Sequence, residues 1–175
     1  MIVREATHDD IPTIAKVHVD TWRTTYRGIL PDKHLANLSY ERQASGWYPI
    51  LNEDPEDGYF TYVAEEESGE IIGFASGGGE RTGDPVYKGE VMAIYILQNQ
   101  QGKGIGRCLV QAVANKLHLS GINSMLAWVL ADNPACQFYA ALGGKPVYEK
   151  EIEIGGKPLI EVAYSWMETG NLRRS

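Results

Sequence analysis

Apolar positions along the chain follow a helical period first and a strand period later. A short apolar strand is predicted at 2–6. A long amphipathic helix follows, and its apolar positions are Ile11, Ala15, Val19, Trp22 and Tyr26. Shorter helical patterns occupy 32–38 and 40–51, and the acidic stretch 52–58, which contains Pro and Gly, is predicted to be a loop. The first third of the chain is therefore predicted to be mainly helical.

The pattern then changes to alternation. Strands rich in aromatic and β-branched residues are predicted at 59–65, 71–76 and 90–96, which suggests an antiparallel meander. A helix at 104–119, a buried strand at 124–130 and a helix that opens at Asn133-Pro134 come next. The last part, 147–154 and 159–166 across Gly155-Gly156, is typical of a hairpin. The order of elements predicts a mixed α/β or α+β fold.

Length and composition set the broad class. The chain has 175 residues, 43% hydrophobic and 22% charged, which fits one domain spanning 1–175. The first residues hold no apolar run typical of a signal peptide, and no stretch has the length of a membrane span, so we expect a cytoplasmic protein without a membrane partner. A net charge of -7 opposes nucleic acid as the main partner.

Cysteine and histidine give little support to a metal site. Cys108 and Cys136 both fall in predicted helices with no paired spacing, and the four histidines are scattered along the chain. We therefore predict no bound metal and no disulfide framework.

The glycine-rich turn before the helix at 104–119 is the clearest chemical signal. Gly102, Gly104 and Gly106 can direct their amides into one concavity at a helix start, and Lys103 and Arg107 flank them. The pattern predicts an anion site. It lacks the Gly-Lys-[Ser/Thr] of a Walker A loop and has the wrong spacing for a dinucleotide fingerprint. A tight strand-to-helix turn without a ligand is the alternative interpretation.

These residues also carry a resemblance to a known family. The segment 94–106 resembles the acetyl-CoA motif Q/R-x-x-G-x-G/A of GNAT acetyltransferases, matched by Gln101, Gly104 and Gly106. A second family element appears as Asn133 followed by Phe-Tyr and Leu-Gly within 133–143, and 22–31 is similar to the acceptor-side helix and loop of many bacterial members. The resemblance implies a mixed central sheet of about seven strands, flanking helices and a splayed, bulged central strand.

The same resemblance implies the cofactor contacts. The backbone of the bulged strand would pair with the pantetheine arm of acetyl-CoA, and the glycine turn would hold the pyrophosphate. Asn133 would reach the arm, and residues of the following helix would pack beside it. The expected cofactor-binding residues are Ile94, Tyr95, Ile96, Gln101, Gly102, Lys103, Gly104, Ile105, Gly106, Arg107, Asn133, Ala135, Phe138 and Tyr139.

Acetyl transfer to an amine needs a neutral nucleophile, stabilisation of the oxyanion and a proton for the departing thiolate. By resemblance Tyr139 is the general acid and Glu90 the candidate base, and the alternatives are a packed aromatic and a solvated strand-end carboxylate. A backbone N–H near Ile94 would serve the oxyanion. Covalent catalysis by cysteine is the rival mechanism, but neither cysteine has a neighbouring histidine in the sequence.

The acceptor side is predicted from the first helix. Trp22 and Tyr26 lie one turn apart and could wall an apolar slot, although a core stripe explains the spacing equally well. The leading hypothesis is an enzyme that transfers acetyl from acetyl-CoA to a primary amine of a small molecule or peptide. The alternatives are a non-catalytic acyl-CoA sensor and an ATP-binding protein. A homodimer is an allowed assembly.

Overall fold

A computed structural model describes residues 1–51 and 58–173 of the chain. Most of the predicted loop at 52–58 lies outside the described residues. The helices are α1 Ile11–Thr25, α2 Asp32–Ala36, α3 Tyr40–Ile50, α4 Ile105–Leu119 and α5 Ala135–Ala141. The strands are β1 Ile2–Glu5, β2 Phe60–Glu65, β3 Ile71–Gly79, β4 Gly89–Ile96, β5 Met125–Leu130, β6 Lys145–Ile154 and β7 Lys157–Trp166.

Within the described residues, the strands form one seven-stranded sheet in the order β1-β2-β3-β4-β5-β7-β6. The pairs β2/β3 and β3/β4 are antiparallel, which confirms the predicted meander. Strands β6 and β7 form the predicted hairpin, and both Gly155 and Gly156 have positive φ angles of 59° and 80°. Positive φ at both turn positions suits glycine and matches the twist of the strands. The mixed α/β class is confirmed.

The two faces of the sheet pack against different helices. Because successive side chains of a strand point to opposite faces, Val63 and Phe74 pack with α1 and Trp47 of α3, whereas Ala64 and Ala75 pack with α4. The predicted apolar stripe of α4 is fully buried at Leu109 and Val113. Helices therefore cover both faces, and the cofactor and acceptor elements approach β4 from opposite sides.

Strand β4 is paired with β5 only at its start. The parallel register joins Gly89, Glu90 and Val91 to β5 and ends there. On the other edge, the register with β3 shifts between Ser76 and Gly77, because Ser76 faces Ala93 and Gly77 faces Val91. Met92 is therefore the extra residue of a β-bulge. The expected splayed and bulged central strand is confirmed, and its divergence from β5 opens a cleft.

No helix in the described part of the chain is both long enough and apolar enough to cross a membrane. Residues 1–51 and 58–173 also contain no cluster of three or more His, Cys, Asp or Glu side chains that could hold a metal ion.

Candidate active site

A cavity of about 790 Å³ follows the opening between β4 and β5. It extends from the glycine turn at the start of α4 to the end of α1, so it brings the predicted cofactor and acceptor residues together. The predicted residues that line it are Trp22, Tyr26, Glu90, Ile94, Tyr95, Ile96, Gln101, Gly102, Gly104, Ile105, Gly106, Arg107, Asn133, Ala135, Phe138 and Tyr139. Lys103 does not belong to this lining, and its ammonium donates to Oε1 of Gln100 over 2.8 Å.

The diverging part of β4 presents backbone groups to the cleft. The amide of Leu97 donates to the carbonyl of Ile72 on the β3 side over 3.0 Å. Because backbone groups alternate in direction along a strand, those of Ile94 and Ile96 point away from β3 and toward the cleft. The side-chain amide of Gln101 donates to the carbonyl of Ile96 over 3.0 Å, which ties the glycine turn to the end of the strand.

The glycine turn has the shape of an anion cradle. Gly102 and Gly104 have φ angles of 77° and 82°, in the left-handed region that favours glycine. Within the described residues, the N–H groups of Gly102 and Gly104 make no hydrogen bond, and the first amides of α4 lack partners by the geometry of a helix. Arg107 lines the cavity beside them. The turn therefore offers unpaired donors, a helix dipole and one guanidinium.

Gly106 is needed for packing. A Cβ atom built at this position would lie 2.9 Å from the ring of Phe138 and 3.2 Å from Cδ1 of Ile96. Only glycine lets the first turn of α4 approach α5 and β4 this closely. This contact places the ring of Phe138 against the first turn of α4.

Tyr139 lies on α5 with its ring enclosed. Its ring is stacked 5.9 Å from that of Tyr164 and lies edge-on 6.0 Å from that of Trp166. Burial raises the pKa of the Tyr139 phenol well above its ordinary value. The hydroxyl has no hydrogen-bond partner within the described residues, and the residue lines the cavity. It is therefore protonated at neutral pH and free to donate.

Asn133 joins the two halves of the cleft. Its Oδ1 accepts a hydrogen bond from the amide of Ala135 over 2.9 Å, which caps α5. Its Nδ2 donates to the hydroxyl of Tyr26 over 3.3 Å. Helix α5 formally begins at Ala135, but the side chain of Asn133 serves the predicted capping role. Burial is the main cause that raises the pKa of Tyr26.

Glu90 is held by a partner that the sequence did not suggest. Arg81 donates from Nη2 to Oε1 of Glu90 over 2.6 Å and from Nε to Oε2 over 3.1 Å. The side chain of Glu90 is 3% exposed, and hydrogen bonding to this carboxylate raises the pKa of Arg81. Both residues line the cleft. A solvated strand-end carboxylate is thus not the arrangement found, because the carboxylate is buried and paired.

Aromatic rings enclose the end of the cleft where the acceptor residues are predicted. Trp22 and Tyr26 are in edge-on contact at 5.0 Å, and His18 stacks on Tyr95 at 4.8 Å. Trp22 and Tyr26 also pack with Leu30, as expected of a core stripe, and both line the cavity. Burial lowers the pKa of His18 to about 4. The imidazole therefore stays neutral at neutral pH.

The cleft lining includes charged and aromatic residues that the sequence did not single out, among them Arg81, Trp128, Lys150 and Glu161. A charged residue inside a largely apolar strand was the available signal for Glu161, because residues 162–166 that follow it in β7 are buried or half-buried. Arg81 gave no such signal, since it lies in a polar loop between β3 and β4.

The mixed α/β fold and the cleft between β4 and β5 are those expected of an acyltransferase that uses acyl-CoA. The chain belongs to the acetyltransferase (GNAT) family, whose model matches residues 19–143. It is 41% identical over 171 residues to the uncharacterized N-acetyltransferase YuaI of Bacillus subtilis (strain 168), covering 98% of this chain and 95% of that protein. It is also 31% identical over 137 residues to the L-methionine sulfoximine/L-methionine sulfone acetyltransferase of Pseudomonas aeruginosa PAO1, covering 76% and 73% of the two chains. The protein is an N-acetyltransferase.

Solved structures share the fold. PaiA N-acetyltransferase from Thermoplasma acidophilum, in complex with coenzyme A, has a TM-score of 0.66 at 19% identity, covering 92% of this chain and 96% of that one. The yncA protein from Salmonella typhimurium, with its cofactor acetyl-CoA, has a TM-score of 0.69 at 22% identity, covering 94% and 92%. The expected GNAT architecture is confirmed.

Proposed function

We propose that the protein transfers the acetyl group of acetyl-CoA to a primary amine of a small molecule or peptide, and that the cleft between β4 and β5 is where it does so. The observation that carries this proposal is that backbone groups without hydrogen-bond partners face the cleft. Strand β4 provides them on one side, and the glycine turn provides them on the other. The methionine sulfone acetyltransferase is named for small amine-bearing substrates, which supports a small-molecule acceptor.

The residues present fit coenzyme A. The unpaired amides of Gly102 and Gly104, with φ angles that open the turn, suit a pyrophosphate, and Arg107 supplies positive charge. The backbone of Ile94 and Ile96 suits an extended amide chain such as pantetheine, because a strand edge pairs with amides. Tyr95 lies between them, while Ile105, Ala135 and Phe138 form the apolar wall. Bound there, acetyl-CoA supplies an activated acetyl thioester.

The chain supplies a proton donor from α5. Tyr139 is protonated, buried and without a hydrogen-bond partner in the described residues, so its hydroxyl is the group we assign as general acid for a departing thiolate. The backbone N–H of Ile94, freed on the cleft side of β4, is the proposed donor to the carbonyl oxygen of the acetyl group. Both residues line the cleft, which supports the two assignments.

The proton acceptor is assigned to Glu90. Its carboxylate lines the cleft and has lone pairs beyond those used by Arg81, so a water molecule could relay a proton from the amine to it. The ion pair with Arg81 also holds the start of β4 in place, since it links the strand to the preceding loop. Glu90→Gln and Arg81→Met separate the base role from the positioning role.

The proposed reaction is tested by a thiol-release assay with a panel of primary amines, followed by mass detection of the product. We expect acetyl-CoA-dependent thiol release with at least one amine and an acetylated product. Tight coenzyme A binding without turnover on any amine would instead indicate an acyl-CoA sensor, which the named relatives do not support. Stabilisation by ATP and not by coenzyme A would contradict the proposal entirely.

A cytoplasmic location, a single domain over 1–175 and a homodimer stay predictions of the sequence. The homodimer is tested by sedimentation velocity at several protein concentrations, because a mass that rises with concentration reports self-association.

A further inference from the structure

Two ion pairs at the acceptor end of the cleft differ in their distances and in their exposure to solvent. Glu90 accepts two side-chain hydrogen bonds from Arg81 and its side chain is 3% exposed. Glu161 meets Lys150 at one distance of 3.4 Å, and their side chains are 21% and 43% exposed. The second pair is longer and wetter, so water and other cations can compete for its carboxylate.

Glu161 lies on the strand next to β5, at the edge of the cleft. It is on β7 opposite Leu130 of β5, and both residues line the cavity. Burial is the main cause that raises the pKa of the Tyr26 and Tyr95 phenols, and the negative charge of Glu161 raises it further. Tyr26, Tyr95 and Tyr139 line the same cavity as Glu161. Glu161 therefore shares one cavity with the proposed reaction centre.

The surface around Glu161 already holds an ammonium group. The Nζ atom of Lys150 lies 4.0 Å from the centre of the Trp128 ring, within the range of a cation–π contact. Trp22 and Tyr26 add further aromatic surface to the same cavity. A carboxylate beside aromatic rings is suited to an organic cation.

We propose that Glu161 binds the ammonium group of the acceptor, in exchange for Lys150, so that the acceptor is a primary amine that enters the cleft as a cation. This rests on the proposed function, since it concerns the acceptor of the same reaction. Lys150 remains over Trp128 when the exchange occurs. Neutral amines and alcohols of the same shape bind more weakly.

The test measures binding and needs no turnover. Tryptophan fluorescence of the protein loaded with coenzyme A is titrated with n-butylammonium and with its neutral analogue 1-butanol, because Trp22 and Trp128 line the cavity. We expect the wild type to prefer butylammonium by about tenfold or more, since a charge-assisted hydrogen bond distinguishes the two probes. Glu161→Gln should abolish the preference.

Two variants serve as controls. Glu151→Gln makes the same change on β6 at an exposed position whose side chain points away from Lys150 and the cleft, and it should keep the wild-type preference. Lys150→Met removes the competing cation and should leave or strengthen butylammonium binding. If the Lys150–Glu161 pair had only a structural role, Glu161→Gln and Lys150→Met would both weaken butylammonium binding.

The proposal is overturned if Glu161→Gln retains the preference, or if the wild type does not bind butylammonium more tightly than 1-butanol. Thermal unfolding of each variant confirms that it is folded. Coenzyme A binding and thiol release are recorded on the same preparations. Normal cofactor binding and turnover with an unchanged Glu161→Gln preference would remove this inference alone, whereas loss of cofactor binding in the wild type would remove the proposed function.

Discussion

The carboxamide of Asn133 donates a hydrogen bond to the Tyr26 hydroxyl over 3.3 Å, and it thereby joins the start of α5 to the end of α1. These two helices border opposite halves of the cleft. Because the Tyr26 oxygen accepts from Asn133, its own O–H is available to donate into the cavity that it lines. The contact therefore connects the proposed cofactor side to the acceptor side through a buried polar pair.

Tyr26 and Asn133 should be coupled in their effects on the free energy of unfolding. Tyr26→Phe leaves Nδ2 of Asn133 without its partner and should lower the free energy of unfolding by about 1 kcal/mol. Asn133→Ala should lower it by about 1 kcal/mol more, because the cap on Ala135 is lost as well. Urea unfolding of both single variants and of the double variant measures the coupling. Strictly additive effects would show that the two side chains do not stabilise each other.

Tyr139→Phe should lower turnover by about 100-fold and leave coenzyme A binding unchanged, because only the proposed proton donor is removed. The ring contacts with Tyr164 and Trp166 remain, so the fold should keep its stability. Tyr148→Phe, at a phenol outside the cavity lining, is the matched control and should retain full activity. Thiol release and calorimetry measure the two quantities. Unchanged turnover would remove Tyr139 from the mechanism.

Gly104→Leu should weaken coenzyme A binding by at least about tenfold, because a side chain at a φ of 82° strains the turn whose amides we assign to the pyrophosphate. Gly121→Leu is a close control. Gly121 has a φ of 81°, follows α4 and likewise has nothing within 4 Å of an added Cβ. Both variants should lose about 1–2 kcal/mol of stability. Equal loss of binding in both would indicate a general effect of unfolding.

The roles of Glu90 should separate from those of Arg81. Arg81→Met leaves a buried carboxylate unpaired and should destabilise the fold by about 3 kcal/mol, whereas Glu90→Gln should be milder. If Glu90 is the base, Glu90→Gln lowers turnover in the folded enzyme and changes the dependence of kcat on pH. Thermal unfolding and pH profiles distinguish the cases. A Glu90→Gln enzyme with a wild-type profile would leave Glu90 with a positioning role only.

His18 should make stability depend on pH. Its pKa is lowered from 6.5 to about 4 in the folded protein, so the unfolded chain binds the proton more tightly. Stability from this residue is thus present above about pH 6.5 and is lost as pH falls toward about 4. His18→Phe should fit among the surrounding rings of Trp22, Phe74 and Tyr95 and flatten this dependence. Urea unfolding at about pH 5 and about pH 7.5 measures the free energy of unfolding of both proteins. An equal loss of this free energy at the lower pH in the wild type and in His18→Phe would contradict the prediction.

Much of this site could be predicted because it depends on local sequence. The glycine turn, the cap at Asn133 and the strand alternation are encoded within a few residues of one another, and the structure places them as expected. The pairing of Arg81 with Glu90 could not be predicted in the same way. It joins a loop residue to the start of a strand, and its geometry is set by the path of the loop. The exposure of Glu161 likewise depends on how far β4 and β5 diverge.

The divergence itself was expected only through the family resemblance. Nothing in the residues of β4 or β5 shows that their pairing ends at Val91, because both strands continue with apolar, strand-forming residues. The bulge at Met92 and the cavity beyond it result from tertiary packing on both faces of the sheet.

In the proposed binding mode, the backbone of the glycine turn and of β4 holds coenzyme A in the cleft. Isothermal titration calorimetry with coenzyme A, on the wild type and on Gly104→Leu, measures this association. We predict a saturable heat with one coenzyme per chain for the wild type and a clearly weaker association for Gly104→Leu. Absence of heat for the wild type at high protein concentration, with either coenzyme A or acetyl-CoA, would rule out this binding mode.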